Sequence, residues 1–434
     1  MATGNGVSLP ELPCASMTLS NGLRVRLIPL PHLQSATISC FLRVGSRYET
    51  LETNGLSHFL EHMLYRGTER HPAAHDLSLA IERLGGTLDA ATHVDFTSYD
   101  LTLPRETIAR GTELLAEVLG QPLLTHMGTE KQIIREEILE DLNESGEQID
   151  IDNVSRRLLY RDHPLGFSIA GPLENLERFA TDDLQRHHRH HYTGPNSVVC
   201  IAGAFDEERL VDAIGKCFEG MREGGPVEPA PRVQNGDQRR FDYVREPGSQ
   251  TEVQLSFHTP GVKSPLAPVF LLLDRVLDDG LSTRVHRIIC EERGLAYDAF
   301  AGNDTFEDCG VFDFGASVEH KKAPLLVETM LALIRELQES GPTEEEVEKA
   351  KRRYLWDLQT VRDDPEDAVD FVGTSVLFGI PEQISTIAHQ VTAVTGDDIQ
   401  GAAQKYLDPE RAYLTCVGML DDELLSAVQG LVRA

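Results

Sequence analysis

The sequence lacks paired cysteines and is short of basic residues, and each shortage excludes a class of protein. Its 434 residues include seven Cys, an odd number with no C-x-x-C spacing, so we expect no disulfide framework and a reducing compartment. Lys and Arg number 40 against 70 Asp and Glu, which gives a formal net charge of −30. A chain this acidic is a poor partner for nucleic acid or for an anionic membrane surface.

Long apolar runs are also missing. No stretch reaches the roughly 18 apolar residues that a transmembrane helix needs. Residues 1–13 have neither a basic segment nor an apolar one, so we expect no secretory signal and a cytoplasmic, bacterial protein. Hydrophobic residues make up 41% and charged residues 25% of the chain, which is typical of a globular protein of roughly two or three domains.

The most informative stretch is HFLEH at residues 58–62, within an otherwise amphipathic helical pattern. Residues three and four apart share one face of a helix, so His58, Glu61 and His62 project together. Two His at this spacing can bind one Zn²⁺, and Glu61 stands where a general base for water would stand. The order H-x-x-E-H is the inverzincin signature. The alternative is three core polar groups satisfied by local hydrogen bonds.

Internal similarity indicates a duplication. Residues 221–240, rich in Pro, Gly and charge, predict a linker near the midpoint. Residues 181–203 resemble residues 396–418, and each segment predicts a helix, a turn with Pro and an apolar strand. We therefore predict an N-terminal zinc-binding catalytic domain over 1–220 and a homologous C-terminal domain without a metal site over 241–434.

Strands and helices mix within each half without regular alternation. This pattern predicts an α+β fold of two homologous domains, each an antiparallel sheet with helices packed on one face. An Asn21–Gly22 pair between apolar runs predicts a hairpin near the start. The stretch HHRHHY at 187–192 places three His on one helical face, but its repeat counterpart GAAQKY has none. This comparison favours a surface helix over a second metal site.

A third zinc ligand must come from another segment, because a catalytic zinc takes three protein ligands. Residues 129–144 predict a helix crowded with acidic side chains, and most of these are expected on a solvated face. Glu130 and Glu137 lie seven residues apart, two turns along one face. One of these carboxylates can point at a metal while the other supports a ligand.

The stretch HFLEHMLYRGT closely resembles the motif of the pitrilysin family, which includes insulin-degrading enzyme and the mitochondrial processing peptidase. NGLRVRLIP, GSRYET, GGTLDAATHVDFTSYD, HPLGFSIAGPLENL and HHYTGPNSVVCIAGAFD also resemble family landmarks, so the resemblance covers almost the whole chain. The family places its third ligand at the distance that separates Glu137 from His62, 75 residues, with a supporting Glu seven residues earlier. The resemblance thus implies Glu137 as ligand and Glu130 as its support. Glu136 competes for the ligand role, but it would leave Thr129 at the supporting position.

The resemblance implies a zinc-dependent endopeptidase with one Zn²⁺ per chain, held by His58, His62 and Glu137. Such an enzyme cleaves peptides or small unfolded proteins inside a closed chamber. The substrate is expected to add as a strand beside residues 87–93, at Asp89, Ala90 and Ala91. The family usually has Asn where this chain has Asp89, and an ionised Asp accepts hydrogen bonds but cannot donate them.

A second departure lies in the C-terminal half. Many active members carry an Arg and a Tyr seven residues apart that steady the substrate. Tyr297 is present, but Cys290 occupies the Arg position, and Arg293 or Arg287 would have to compensate. Short-chain members form homodimers or heterodimers, so we expect a dimer. In a heterodimer, a zinc-less paralogue would supply the missing Arg–Tyr pair. Two alternatives stay open: a maturation peptidase dedicated to one peptide, and a non-catalytic structural subunit of the same fold.

Overall fold

The computed structural model describes residues 9–231 and 240–432. The strands are β1 (Ala15–Thr18), β2 (Arg24–Pro29), β3 (Ser35–Leu42), β4 (Thr87–Thr92), β5 (Thr97–Pro104), β6 (Ser197–Gly203), β7 (Phe241–Arg245), β8 (Thr251–Pro260), β9 (Ala299–Thr305), β10 (Cys309–Val318) and β11 (Tyr413–Gly418). The predicted hairpin is present, since β1 and β2 pair antiparallel around Gly22, whose φ is 86°.

The helices are α1 (Leu56–Leu64), α2 (Ala74–Glu82), α3 (Ile108–Gly120), α4 (Met127–Glu140), α5 (Ile151–Tyr160), α6 (Leu173–Arg178), α7 (Thr181–His191), α8 (Glu207–Phe218), α9 (Ala267–Leu277), α10 (Ala323–Ser340), α11 (Glu344–Thr360), α12 (Pro365–Phe378), α13 (Ile384–Ala393), α14 (Gly396–Tyr406) and α15 (Asp422–Leu431). A π-helical segment, His286–Glu292, lies between α9 and β9. Across the described ranges, none of these helices combines the length and apolarity that crossing a membrane requires.

The chain folds into two compact units. The first contains the described residues up to 138, then 168–230 and 357–386, and the second contains 139–167 and the remainder. A division at the midpoint would place α5 in the first unit and α12 in the second. In the structure α5 belongs to the second unit and α12 to the first. A helical pattern shows that a face is apolar, but it does not show which sheet that face covers. The predicted linker includes residues 232–239, which lie outside the described residues, so the domain boundaries stay a prediction.

Each unit is built on one sheet. The five strands of the second sheet correspond in order to β2, β6, β3, β5 and β4 of the first, which has β1 as a sixth strand. The first runs β1-β2-β6-β3-β5-β4 and the second β7-β11-β8-β10-β9, so that β4 and β9 are edge strands. The α+β class is confirmed, but the expectation of purely antiparallel sheets is wrong in one detail. β2 pairs with β6, and β7 with β11, in parallel. Each of these pairs is joined through a long stretch of other elements, which permits the parallel direction that a tight hairpin forbids.

Helices cover both faces of the first sheet, which corrects the expected packing on one face. On one face, Gly111 of α3 approaches so closely that a Cβ there would lie 2.0 Å from a Leu103 methyl. On the other face, α12 lies against Phe41, and a Cβ on Gly373 would meet its ring at 2.1 Å. β3 is buried from Ala36 to Leu42, so its alternating side chains need a cover on both sides.

Candidate metal centre

The helix that carries the H-x-x-E-H motif begins without a side-chain cap of its own. Gly55 at its start has φ 95°, and a Cβ there would lie 2.5 Å from the Ala170 carbonyl oxygen, so a capping Ser or Asp has no room. Glu49 satisfies the open N–H groups instead. Its carboxylate accepts hydrogen bonds from the backbone of Ser57 at 2.7 Å and of Gly55 at 2.9 Å, and from the Asn54 amide at 3.1 Å. Burial raises the pKa of Glu49, and these donors oppose the shift.

Three candidate ligand atoms meet beside this helix. His58 Nε2 lies 3.2 Å from His62 Nε2 and 3.2 Å from Glu137 Oε1, and His62 Nε2 lies 3.7 Å from Glu137 Oε2. His58 and His62 project from adjacent turns of α1, whereas Glu137 comes from α4. Among the described residues, these three form the group of His, Cys, Asp and Glu side chains that could hold a metal ion.

These separations fit a zinc ion. Ligand atoms bound at about 2.0–2.1 Å in tetrahedral geometry stand roughly 3.3 Å apart, close to the three distances observed. The donor set of two imidazoles and one carboxylate is one that catalytic zinc sites use. Glu137 is also 46% exposed at its side chain, so a fourth position can be reached from solvent. The residues present therefore fit the metal that the sequence implies.

Glu130 lies beneath the ligands. It is 4% exposed, and its Oε1 lies 2.9 Å from His62 Nδ1, while Arg66 donates to its Oε2. Burial raises the pKa of this carboxyl, but the hydrogen bonds from His62 and Arg66 outweigh it and hold the pKa below its ordinary value. An ionised Glu130 fixes the His62 ring with Nε2 turned toward the ligand cluster. His58 has no equivalent support, because its buried Nδ1 finds no hydrogen-bond partner in the described parts of the chain.

Glu61 is held at the edge of the first sheet. Its side chain is on α1 and only 8% of the residue is exposed. The Thr92 hydroxyl, on the last residue of β4, donates to Glu61 Oε2 at 2.8 Å. Nearby, the Tyr65 hydroxyl donates to the Leu88 carbonyl of the same strand at 3.3 Å. The motif helix and the edge strand are therefore joined at two points.

The residues expected to contact substrate fall in both units. Asp89, Ala90 and Ala91 lie in β4, the edge strand of the first sheet, and Asp89 is exposed. Tyr297 lies in the second unit, two residues before β9, and is 97% exposed. Arg293 is also in the second unit, where its guanidinium donates to Thr329 Oγ1 at 3.0 Å. The substrate-binding roles of all five residues stay predictions.

The structure also locates Glu136, the alternative third ligand, and the His-rich stretch at 187–192. Glu136 is exposed and lies outside the ligand group, in which Glu137 takes part. The His-rich stretch lies on α7, which is exposed at Arg186, Arg189 and His190, as expected of a surface helix, but its other side is buried. His187 is buried, with Nε2 3.0 Å from the Ser57 hydroxyl, and His191 is buried beside it. Burial, reinforced by the neighbouring His residues, lowers the pKa of His187 well below its usual range, so this residue is a neutral core contact behind α1.

Comparison with known proteins identifies the family. A family model described as "Insulinase (Peptidase family M16)" matches residues 24–173, and one described as "Peptidase M16 inactive domain" matches residues 178–354. The chain belongs to the M16 peptidase family, in its short two-domain form, as the resemblance to pitrilysin relatives implied. The first match contains all the candidate metal ligands.

Named relatives agree with this assignment, and a solved structure shares the fold. A protein of Streptomyces coelicolor named as an uncharacterized zinc protease is 27% identical over 428 residues, 96% of this chain and 92% of that protein. The mitochondrial-processing peptidase subunit beta of Lentinula edodes is 28% identical over 93% of this chain and 90% of its own length. A protease from Helicobacter pylori has the same fold, with a TM-score of 0.85 at 21% identity, covering 94% of this chain and 100% of that structure.

Three residues that contact the site, Arg66, Glu49 and Thr92, were not predicted from the sequence. Arg66 carried a usable signal, because a helical pattern continued past His62 would place a residue four positions later beside it. In the structure α1 ends at Leu64, and Arg66 meets the buried Glu130 from the turn that follows. Glu49 and Thr92 carried none, since each reaches α1 from a separate segment. Their partners become apparent only when the loop before α1 and strand β4 are folded against it.

Proposed function

We propose that this chain is a zinc-dependent endopeptidase that cleaves peptides or small unfolded proteins. The observation that carries the proposal is the spacing of the His58, His62 and Glu137 ligand atoms, 3.2 to 3.7 Å apart, beside the buried carboxylate of Glu61. The names of the relatives, several of which are called zinc proteases, support the same metal and reaction. We further propose one Zn²⁺ per chain.

Glu61 and Glu130 have different roles in the proposed reaction. Zinc, when bound, supplies a Lewis acid that polarises the scissile carbonyl and acidifies water. Glu61 accepts the proton from the attacking water and returns it to the leaving amine. Glu130, ionised under the influence of His62 and Arg66, keeps the His62 ring in one orientation.

Strand β4 offers a place for the substrate. As an edge strand it can pair its free backbone groups with an extended peptide, in which case affinity comes from main-chain hydrogen bonds rather than particular side chains. Ala90 and Ala91 are small enough to allow close approach of a second backbone. Asp89 accepts but does not donate, so it suits a substrate N–H group. We therefore expect tolerance of many peptide sequences.

Glu61→Gln tests the reaction directly. Glutamine keeps the shape of the side chain but has no basic carboxylate, so cleavage of a peptide mixture should fall by ~10²–10⁴. Zinc content, measured by elemental analysis, should stay at the wild-type value because Glu61 is not a ligand. Glu82→Gln, an exposed carboxylate on α2, is the matched control and should cleave normally. Cleavage by Glu61→Gln at the wild-type rate would exclude Glu61 as the base.

We also propose that the chain works as the zinc-bearing subunit of a dimer that encloses the substrate in a chamber. Cys290 occupies the position of the expected Arg, and Arg293 is already engaged by Thr329. One relative is itself named as a subunit. A zinc-less paralogue would then supply the missing Arg–Tyr pair.

The test of the dimer is to assay the purified chain alone and then with paralogues from the same genome. We expect low activity alone, rescue on mixing and partial rescue by Cys290→Arg. Strong activity from the chain alone, unchanged by any paralogue and abolished by Arg293→Ala, would overturn the heterodimer and leave the peptidase proposal intact.

A further inference from the structure

Thr92 connects the strand offered to the substrate with the proposed base. It is the last residue of β4, and its hydroxyl donates to Glu61 Oε2 at 2.8 Å. We propose that Thr92 is a positioning residue that fixes the Glu61 carboxylate relative to the backbone of the substrate-binding strand. This inference rests on the proposed peptidase function and deepens it.

The hydrogen bond decides which oxygen of Glu61 can take up a proton. A Thr hydroxyl has one proton to donate, and the structure directs it at Oε2. This leaves Oε1 as the oxygen available to the attacking water. Within residues 9–231 and 240–432, Thr92 is the hydrogen-bond donor found for Glu61, so its loss leaves the carboxylate without a directional restraint.

The position of Thr92 explains why this restraint concerns catalysis. A peptide paired with β4 takes its register from the backbone of that strand. Thr92 of the same strand donates a hydrogen bond to Glu61. Tyr65, just after α1, donates to the carbonyl of Leu88, which precedes Thr92 by four residues in β4. The scissile bond and the base are thereby both located from one strand. Misplacement of reacting groups by about 1 Å can cost ~10²-fold in rate.

A structural role for Thr92 is the competing explanation, and two substitutions separate it from positioning. Thr92→Val keeps the β-branched shape and the preference for a strand but removes the O–H group. Thr92→Ser keeps the O–H group and loses a methyl. Thr102→Val is the matched control, since Thr102 lies on the neighbouring strand and donates to Glu366 at 2.7 Å, away from the motif helix.

The experiment measures kcat, KM, zinc content and thermal stability for the full-length variants on a fluorogenic peptide. We expect Thr92→Val to lower kcat by ~10- to 10²-fold with little change in KM or in zinc content. Thr92→Ser should recover most of kcat, and Thr102→Val should match wild type. Crystal structures should show one Glu61 conformer in Thr92→Ser and displaced or multiple conformers in Thr92→Val.

Wild-type kcat in Thr92→Val would overturn the inference, as would equal losses of kcat in Val and Ser variants. A Val variant that loses zinc or stability in step with kcat would assign Thr92 a structural role instead. If the zinc-loaded wild type cleaves no peptide at all, the proposed function fails and this inference fails with it. If the wild type is active and only the Thr92 result differs from expectation, the proposed function stands.

Discussion

The sheets of the two units match in order over five strands, but the units differ in the helix that follows the central strand. In the first unit, β3 leads to α1 with His58, Glu61 and His62; in the second, β8 leads to α9, an apolar helix over Ala267–Leu277 that contributes to the core. Among the described residues, only the first unit assembles a metal-ligand group. The comparison teaches that this architecture supports a site but does not create one, since the difference lies in a few side chains.

The same helices also begin differently. α9 has Pro in its first turn, which has no N–H to satisfy and a φ already suited to a helix. α1 begins at Gly55, and the buried Glu49 carboxylate accepts its open N–H groups. The helix that presents metal ligands is thus tied to its surroundings by a buried carboxyl cap, while its counterpart packs into an apolar core.

The largest expected effect is on zinc binding, when a ligand of the first unit is removed so that this unit, like the second, lacks a complete ligand group. Glu137→Gln should weaken zinc binding by more than the ~10–100-fold loss that is typical when a ligand's supporting partner is removed. Glu136→Gln, the neighbouring exposed residue, should bind zinc as wild type does. Elemental analysis and competition with a chelator measure both. Equal zinc in wild type and Glu137→Gln would show that the third ligand lies elsewhere.

Removing the support beneath His62 should have an intermediate effect. Glu130→Gln keeps one acceptor but loses the charge that orients His62 and pairs with Arg66. We expect zinc affinity to fall by ~10–100-fold while the fold is retained. Chelator competition gives the affinity and circular dichroism checks the fold, with Glu140→Gln on the same helix as control. An unchanged affinity would mean that Glu130 does not act through His62.

The Glu49 cap of α1 should contribute to stability. Glu49→Gln removes one of the acceptors for Gly55, Ser57 and Asn54 in a buried position, so the free energy of unfolding should drop by ~1–3 kcal/mol. Chemical denaturation of metal-free protein measures this without interference from zinc. Glu52→Gln, three residues on and exposed, is the control. A stability equal to that of the control would indicate that water replaces the cap.

The smallest expected effect concerns an ion pair in the second unit, and it depends on pH. Although burial opposes the shift, Arg284 and Thr343 lower the pKa of Glu346 to about 2, with Arg284 Nε 2.7 Å away. Because the folded pKa lies below the ordinary value, the stabilisation is full above about pH 4.5 and is lost as pH falls toward 2. Glu346→Gln should therefore cost about 1 kcal/mol at pH 7.

Thermal unfolding at several pH values measures this effect. The difference between wild type and Glu346→Gln should shrink steadily below about pH 4.5. The exposed Glu344→Gln serves as the control and should show a smaller difference throughout. A difference that persists unchanged at pH 3 would assign the loss to packing rather than to the charge of Glu346.

Local features of this protein follow from the sequence alone. The spacing of His58, Glu61 and His62 places them on one helical face whatever the rest of the chain does, because 3.6 residues complete a turn. The same regularity puts Glu130 and Glu137 on one side of α4. The Asn21–Gly22 turn and the internal repeat can likewise be recognised from short stretches. The structure contains the hairpin and two sheets whose order matches over five strands.

Tertiary structure alone decides which of these faces meet. α4 brings Glu137 within 3.2 Å of His58, Glu49 reaches the start of α1, and Thr92 reaches Glu61 from β4. The parallel β2–β6 pair and the burial of His187 also depend on segments more than a hundred residues apart. A helical period fixes the direction of a side chain relative to its own backbone only. Its partner is selected when distant apolar surfaces pack together, and that selection depends on the whole core rather than on any one stretch of sequence.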